Sequence, residues 1–442
     1  MVNAARWLSA IASSHVCLSY AQNIRQTCND IEAQFFDAGD VTTFRGIQFW
    51  EAIDHWIESS ERVPTCVVQP ASAEDLSIAL RLVGERRVPF AVQSGGHTSN
   101  PGFSSTTGKC RRRKSTRSWS RRLYFRRWLL VEDHSYGLSI DTVKSFTLAL
   151  PNSTITKVDN ARPEMFFALR GGLNKFGVVA GAELFAHAQV PLIYGGTRLY
   201  AGSQVDRIIN ATSKFEETNT DPKATVITSV LGSGLGATAT TQFFYDGPSK
   251  PASFAVFDGI STLLIDSVKT QSFSDFVASI PSDIRDPTNF RGTWETLSTT
   301  RTTLKFMQAL KTEAERLGRL PRAPTGVNLA VDAYIPGMSG KHAVGSTAFP
   351  HADSQFPVLL DVAWMFSKDD KFWRDQVRQS RNRLRDVASA EGILHPISYA
   401  NYAQGDISAE ELWGAANAAR LRRIRDEVDP SRVMELTGGF RL

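Results

Sequence analysis

No run of about 18 apolar residues occurs anywhere in the 442-residue chain, so no segment of it is suited to cross a bilayer as a helix. Cysteine is scarce, with four in all. Acidic residues are missing from one stretch altogether: between Lys109 and Arg127 there are ten Lys or Arg and no Asp or Glu. Without that stretch the remainder holds 40 basic against 45 acidic residues, a net charge of −5. The sequence pI of 9.0 is therefore a local property and gives no warrant for a nucleic-acid partner of the whole protein. No metal site is expected. The chain also lacks the compositional bias of a disordered protein: 42% of its residues are hydrophobic, enough at this length for two globular units, each with its own core.

The N-terminus reads in two ways. Met1 to Arg6 carries one positive charge, Trp7 to Ala21 is fairly apolar, and Ser19-Tyr20-Ala21 puts small residues where a signal peptidase cuts. A secretory leader over 1–21 is the expectation; an ordinary first helix, diluted by Ser13, Ser14 and His15, is the alternative. Asn152-Ser153-Thr154 and Asn210-Ala211-Thr212 are N-glycosylation acceptors consistent with secretion. Cys17 would leave with a leader and Cys110 sits in the basic stretch. That leaves Cys28 and Cys66 as the candidate disulfide, against a free buried pair.

Residues 22–62 form a polar and aromatic N-terminal segment with helical spacing in places, and clear patterning begins at Val63. Val63 to Gln69, closed by Pro70, predicts a strand. Ser72 with Asp75 predicts a helix cap, and Leu76, Ala79, Leu80 and Val83 share one face of the helix up to Arg86. A second strand, Val88 to Gln93, runs straight into Ser94-Gly95-Gly96-His97-Thr98. Two glycines let the backbone turn tightly and bring its N–H groups against a phosphate with no Cβ in the way, although a Gly-Gly pair by itself is more often only a turn.

Ile140–Leu150 and Ile155–Val158 predict a hairpin through Pro151-Asn152-Ser153-Thr154, Pro163 opens a helix through Arg170, and Phe176 to Val179 predicts a buried strand. From about residue 193 the character changes. Thr225–Leu231 and Thr238–Tyr245 are strand-like, and Gly232, Gly234 and Gly236 between them read as a connecting turn, since no helix follows to make a dinucleotide site. Near the end, Tyr399-Ala400-Asn401-Tyr402 precedes a helix over Ala409–Glu427. Its apolar side is expected to hold Leu412, Ala415, Ala419, Leu421, Ile424 and Val428, with Asp429-Pro430 as its stop.

Taken together, these blocks resemble the FAD-linked oxidases with a PCMH-type FAD-binding domain, of the vanillyl-alcohol-oxidase superfamily, in the branch that is berberine-bridge-enzyme-like and 6-hydroxynicotine-oxidase-like. The matching residues are Val67 to Pro70, Phe90 to His97, Tyr136-Gly137-Leu138-Ser139-Ile140-Asp141, Phe166 to Gly172 with Phe176 to Val179, and Tyr399 to Tyr402 followed by Leu421 to Pro430. Their order along the chain makes the resemblance specific. It implies an α+β fold: a PCMH-type FAD-binding domain over 63–192, a substrate domain over 193–394 with an antiparallel sheet flanked by helices, and a C-terminal segment, 395–442, that returns to the first domain.

The resemblance also implies chemistry. Ser94, Gly95, Gly96 and Thr98 would cradle FAD, His97 would bond it covalently, and Val178 and Asn401 would contribute to its site. The implied reaction is hydride transfer from a small organic substrate, such as a secondary metabolite, to the flavin, with O2 reoxidising it to give H2O2. Tyr399 and Tyr402 are the candidate bases or hydrogen-bond partners, and a pair of packing aromatics is the plain alternative.

The basic stretch departs from this pattern. Relatives carry there a loop of the type Gly-Gly-Gly-Tyr-Ser-Trp, which the chain lacks. Codons can be chosen for Arg121 to Asp133 that, shifted by one base, read Ala-Ala-Phe-Thr-Leu-Gly-Gly-Gly-Tyr-Ser-Trp-Lys-Thr. The expectation is a frameshifted or mis-spliced segment over about 109–134 with part of the domain lost. A basic nucleic-acid-binding insertion is the competing reading, and a remnant that binds no flavin is the alternative function.

Overall fold

A computed structural model describes residues 22–35, 40–43, 47–106, 138–279, 290–322, 324–333, 345–351 and 355–442. The readings made for the leader 1–21, for Cys17, Cys110, Tyr136 and Gly137, and for the segment 109–134 lie outside these residues.

The fold is α+β, with two larger sheets and a small one. The N-terminal part is more structured than its sequence suggests. A helix over 22–32 is followed by β1 (Asp40–Thr43), which pairs antiparallel with β2 (Cys66–Gln69). A disulfide joins Cys28 to Cys66 with their Cα atoms 6.3 Å apart, within a cluster that includes Ile24, Ile31, Val41 and Leu82. Ser72 caps the helix Ala73–Glu85, its hydroxyl accepting from the Asp75 N–H at 3.1 Å.

The strand expected at Val88–Gln93 forms only as a single bridge, Phe90 beside Thr437, with the Phe90 amide donating to Leu436 O at 3.3 Å. Pro89 has no N–H to offer a ladder. The hairpin is present as β3 (Val143–Ala149) and β4 (Ile155–Val158), and β5 (Val178–Leu184) pairs on the other side of β3. Between β4 and β5 the helix Pro163–Leu169 ends at Gly171, whose φ of +100° suits glycine.

The second sheet has eight strands in the order β13-β10-β12-β11-β7-β8-β6-β9. These are β6 (Ile193–Tyr200), β7 (Ala224–Ser233), β8 (Gly236–Tyr245), β9 (Lys269–Gln271), β10 (Arg291–Thr299), β11 (Gly326–Ala333), β12 (Phe356–Trp364) and β13 (Leu394–His395). Gly232 to Gly236 form the β7–β8 hairpin and not a nucleotide loop. One face of the sheet carries Val230, Phe243, Leu297, Leu329 and Leu360, buried under the helices Val205–Thr218, Leu304–Gly318 and Asp370–Ala390 in the largest core of the molecule. A Cβ on Gly232 would fall 1.9 Å from Ala314 O, so only glycine lets the helix Leu304–Gly318 lie this close to β7.

The C-terminal helix Ala409–Val428 packs against Phe167, Ala168 and Phe176, so the end of the chain closes onto the first half. Its expected face is half right. Leu412, Leu421 and Ile424 are buried, but Ala415 and Ala419 are exposed, and Trp413 and Ala418 are buried in their place. Gly414 explains the slip: its φ of +72° and ψ of +156° kink the helix and reset the phase on which the sequence periodicity was counted.

Candidate functional site

The glycine-rich loop is held from below by the segment that follows the helix Ile47–Ile53. Trp56 N–H donates to Gly96 O at 3.1 Å, and Gln93 Nε2 donates to Asp54 O at 2.9 Å. Gly96 has φ +63°, and a Cβ there would lie 3.1 Å from Gln93 Nε2 and 3.2 Å from Asp54 O. A side chain would therefore be both strained and crowded. The His97 imidazole stacks on the Trp56 indole, with ring centroids 5.5 Å apart and planes 20° from parallel. The amides of Ser94, Gly95 and Gly96 donate to no protein acceptor among the described residues, so they are available to an anion. A cradle turned by glycine, with spare N–H groups and an imidazole beside it, suits an anionic group such as a pyrophosphate.

Asn100, which the sequence reading passed over, ties this loop to the tyrosine loop. Its side-chain amide donates to Ala403 O at 2.8 Å, and its carbonyl oxygen accepts from Gly405 N–H at 2.8 Å. Ser99 joins the same loop to the eight-stranded sheet: its hydroxyl accepts from Trp294 N–H at 3.2 Å, and its carbonyl accepts from the Arg374 guanidinium at 3.2 Å. Ser59 makes a parallel link, donating to Gly292 O at 2.6 Å. Three structural units thus meet within a few residues of His97. No local sequence signal marks Asn100 or Ser99, since their roles depend on partners about 200 to 300 residues away.

Tyr399 and Tyr402 lie edge to face with centroids 5.1 Å apart, and Asn401 Nδ2 donates to the Tyr399 hydroxyl oxygen at 2.6 Å. The Tyr399 oxygen is thus held as an acceptor by its near neighbour in the same loop. The Phe349 ring meets Tyr399 at 5.8 Å and 62°. Val178 is buried with Leu80, Ala149, Val433 and Met434. Asn152, in its turn, and Asn210, on the helix Val205–Thr218, are both exposed.

The electrostatics beneath the loop are set by burial. The Glu61 carboxyl, accepting from His55 N–H at 3.3 Å, is pushed up to about 8, first by desolvation and further by Asp54 and Glu58. Desolvation also lowers the His55 imidazole below its usual range. On the sheet side, burial raises Glu295 to about 7 despite Arg381 at 3.2 Å and Arg378 at 3.6 Å. Among the described residues no group of His, Cys, Asp and Glu could hold a metal ion, and no helix is long and apolar enough to cross a membrane.

Comparison with known proteins bears on this arrangement. The sequence profile of the family "Berberine and berberine like" matches residues 398–437, which contain both tyrosines and the C-terminal helix. The FAD-dependent monooxygenase drtC of Aspergillus calidoustus is 24% identical over 92% of this chain and 87% of its own length. The chain is thus similar to the berberine-bridge-like FAD-linked oxidoreductases. The chain is also similar to the oligopeptidase PhomG' of Diaporthe leptostromiformis, 26% identical over 87% of the chain, but spans only 35% of that protein's length. In fold it is similar to 6-hydroxy-D-nicotine oxidase from Arthrobacter nicotinovorans, with a TM-score of 0.71 at 16% identity, covering 91% of this chain and 98% of that one.

Proposed function

We propose that the chain carries FAD bonded to His97 and oxidises a small organic substrate, such as a secondary metabolite. In this reading FAD held there would supply the acceptor for a hydride from the substrate, and O2 would be the final oxidant, giving H2O2. The observation that carries the reading is the loop 94–98, with its spare amides and its imidazole seated on Trp56, tied through Asn100 to the tyrosine loop. Tyr399, with Asn401 at its oxygen, would take up the proton that the substrate loses, and Tyr402 would pack against its ring. FAD would supply the two-electron acceptor; the chain supplies the cradle, the tether and the proton path.

Absorbance of the purified protein in the flavin region, followed by denaturation and mass analysis of the His97 peptide, tests this. A flavin adduct on that peptide upholds the proposal, and colour that washes out on denaturation refutes the covalent bond. Stoichiometric H2O2 per substrate oxidised would separate an oxidase from a monooxygenase, the activity named for drtC.

A second reading, a remnant that binds no flavin, is favoured by one feature: the ten basic residues between Lys109 and Arg127, where relatives carry a glycine-rich loop. A colourless purified protein would support it. Sequencing the transcript tests the frameshift, since an mRNA translated in the arginine-rich frame removes that explanation. We further propose secretion through a leader at 1–21, in keeping with the Cys28–Cys66 disulfide and the exposed acceptors Asn152 and Asn210. A loss of mass on glycosidase treatment of the secreted protein is the expected result.

A further inference from the structure

A buried pair outside the flavin loop, Asp141 and His351, joins the two halves of the chain. Asp141 sits in the turn that leads into β3; His351 lies in a strap that includes residues 345–351 and precedes β12. His351 Nε2 lies 2.8 Å from Asp141 Oδ2, and His351 Nδ1 lies 2.8 Å from Phe349 O. The two side chains are 4% and 0% exposed. Both ring nitrogens therefore face oxygen atoms, which hold the imidazole from two of its edges.

The strap does not depend on that link alone. Ala348 N–H donates to Arg170 O at 2.9 Å, Arg170 donates to Ser346 O, Asn417 Nδ2 donates to Ala348 O at 3.0 Å, and Arg420 donates to Gly345 O at 3.2 Å. A Cβ at Gly171 would fall 2.6 Å from Phe349 Cβ, so the strap lies directly on the end of the helix Pro163–Leu169. What the pair adds is the orientation of a ring. The His351 imidazole, pinned at both nitrogens, is the flat surface on which Phe349 stacks, with centroids 5.8 Å apart and planes 12° from parallel. Phe349 in turn presents itself to the Tyr399 ring.

We propose that His351, fixed by Asp141, is a positioning residue: through Phe349 it sets the orientation of the Tyr399 phenol, so that the substrate half of the chain governs the proton acceptor of the flavin half. This rests on the reading of Tyr399 as a site residue. The strap's other bonds hold its backbone, and the Asp141–His351 pair holds the ring relay.

The test is 19F NMR of the full chain labelled with 3-fluorotyrosine. The chain has nine tyrosines, and the Tyr399 signal is assigned by its loss in Tyr399→Phe. Asp141→Asn and His351→Gln should each displace the Tyr399 resonance by more than its linewidth, and the double variant should displace it no further than the larger single effect. The resonance of Tyr200, in the core under the eight-stranded sheet, should stay in place. Arg420→Ala removes a strap contact without touching the pair and should leave Tyr399 unmoved. A Tyr399 signal unmoved in both single variants, or moved equally by Arg420→Ala, overturns the proposal, whatever the melting temperature does. If the two pair variants fail to fold, Phe349→Leu interrupts the relay alone, and an unmoved Tyr399 signal in that variant overturns the proposal as well. Flavin colour recorded on the same samples keeps the two ideas apart: a colourless protein with a displaced Tyr399 signal upholds the relay and sinks the flavin reading.

Discussion

Replacing Asn100 by alanine would test whether the flavin loop and the tyrosine loop are one mechanical unit. Asn100 is 7% exposed and makes one donated and one accepted side-chain hydrogen bond, to Ala403 O and from Gly405 N–H, each at 2.8 Å. The Asn100→Ala change leaves both partner groups behind, the first of them on a residue that is 1% exposed. Stranding a buried polar group costs about 1–3 kcal/mol; taking the lower part of that range for Gly405, which is only half buried, gives roughly 2–4 kcal/mol for the pair. The loss should appear as easier local opening of residues 399–407, not as global unfolding, because the largest core lies elsewhere. At 1.4 kcal/mol per tenfold, amide hydrogen exchange there should quicken by roughly 30- to 700-fold. Exchange in the helix Leu304–Gly318 should not change. The measurement is hydrogen–deuterium exchange by mass spectrometry on peptides covering 395–410. An acceleration of less than threefold would refute the reasoning, since the link through Asn100 would then carry none of the stability of the tyrosine loop.

Three further outcomes are expected. Gly96→Ala puts a Cβ at φ +63° and 3.2 Å from Asp54 O, so it should cost about 1–3 kcal/mol and lower the flavin content of the purified protein, read as the flavin-to-protein absorbance ratio. Glu61, whose folded value is pushed up to about 8, binds a proton in the folded chain that the unfolded chain has released above its ordinary value near 4.5. Stability should therefore fall as pH rises from about 4.5 to about 8, with a slope below the limit of about 1.4 kcal/mol per pH unit because the side chain is only half buried. Urea midpoints across that range should lose much of this slope in Glu61→Gln. Reducing the Cys28–Cys66 disulfide, which spans 38 residues, should destabilise the N-terminal cluster by about 3–4 kcal/mol on the chain-entropy estimate, seen as faster proteolysis within 22–70.

Local pattern was legible in the sequence wherever one stretch of chain decides its own conformation. The Ser72 cap, the β3–β4 turn, the Pro163 start and the β7–β8 hairpin are all set by neighbours a few residues away, and each lies where its residues place it. Failures came where a distant partner decides. Val88–Gln93 has strand composition but among the described residues finds only Thr437 to bridge, and β1, in a stretch read as helical and polar, exists because β2 lies beside it. The exposed Ala415 and Ala419 show a third limit: periodicity counts only while the helix keeps its phase, and Gly414 breaks it. At the site, His97 and the two tyrosines stood out by motif. Trp56, Ser99, Asn100, Phe349 and His351 are ordinary residues that become functional candidates only through contacts made across the fold.

The two halves of the molecule differ in how much apolar core each holds by itself. The core under the eight-stranded sheet runs from Tyr200 to Ile393 and among the described residues draws on none from the first half, so that unit has the apolar burial to stand by itself. The first half does not share this independence. Its apolar residues are divided among several smaller clusters, and one of these draws on the C-terminal helix. Among the described residues β5 pairs only with β3, and it leaves Val179 46%, Leu184 59% and Phe185 56% exposed. An apolar, unpaired strand edge invites non-native association, and natural sheets blunt such edges with charge, proline or a covering element. Tyr399 and Phe349 lie between the two halves, held by Asn100 and Asn401 from one side and by His351 from the other. The tyrosines can therefore stay in place in a chain whose flavin half is damaged, and survival of the motif is then evidence of ancestry and not of turnover.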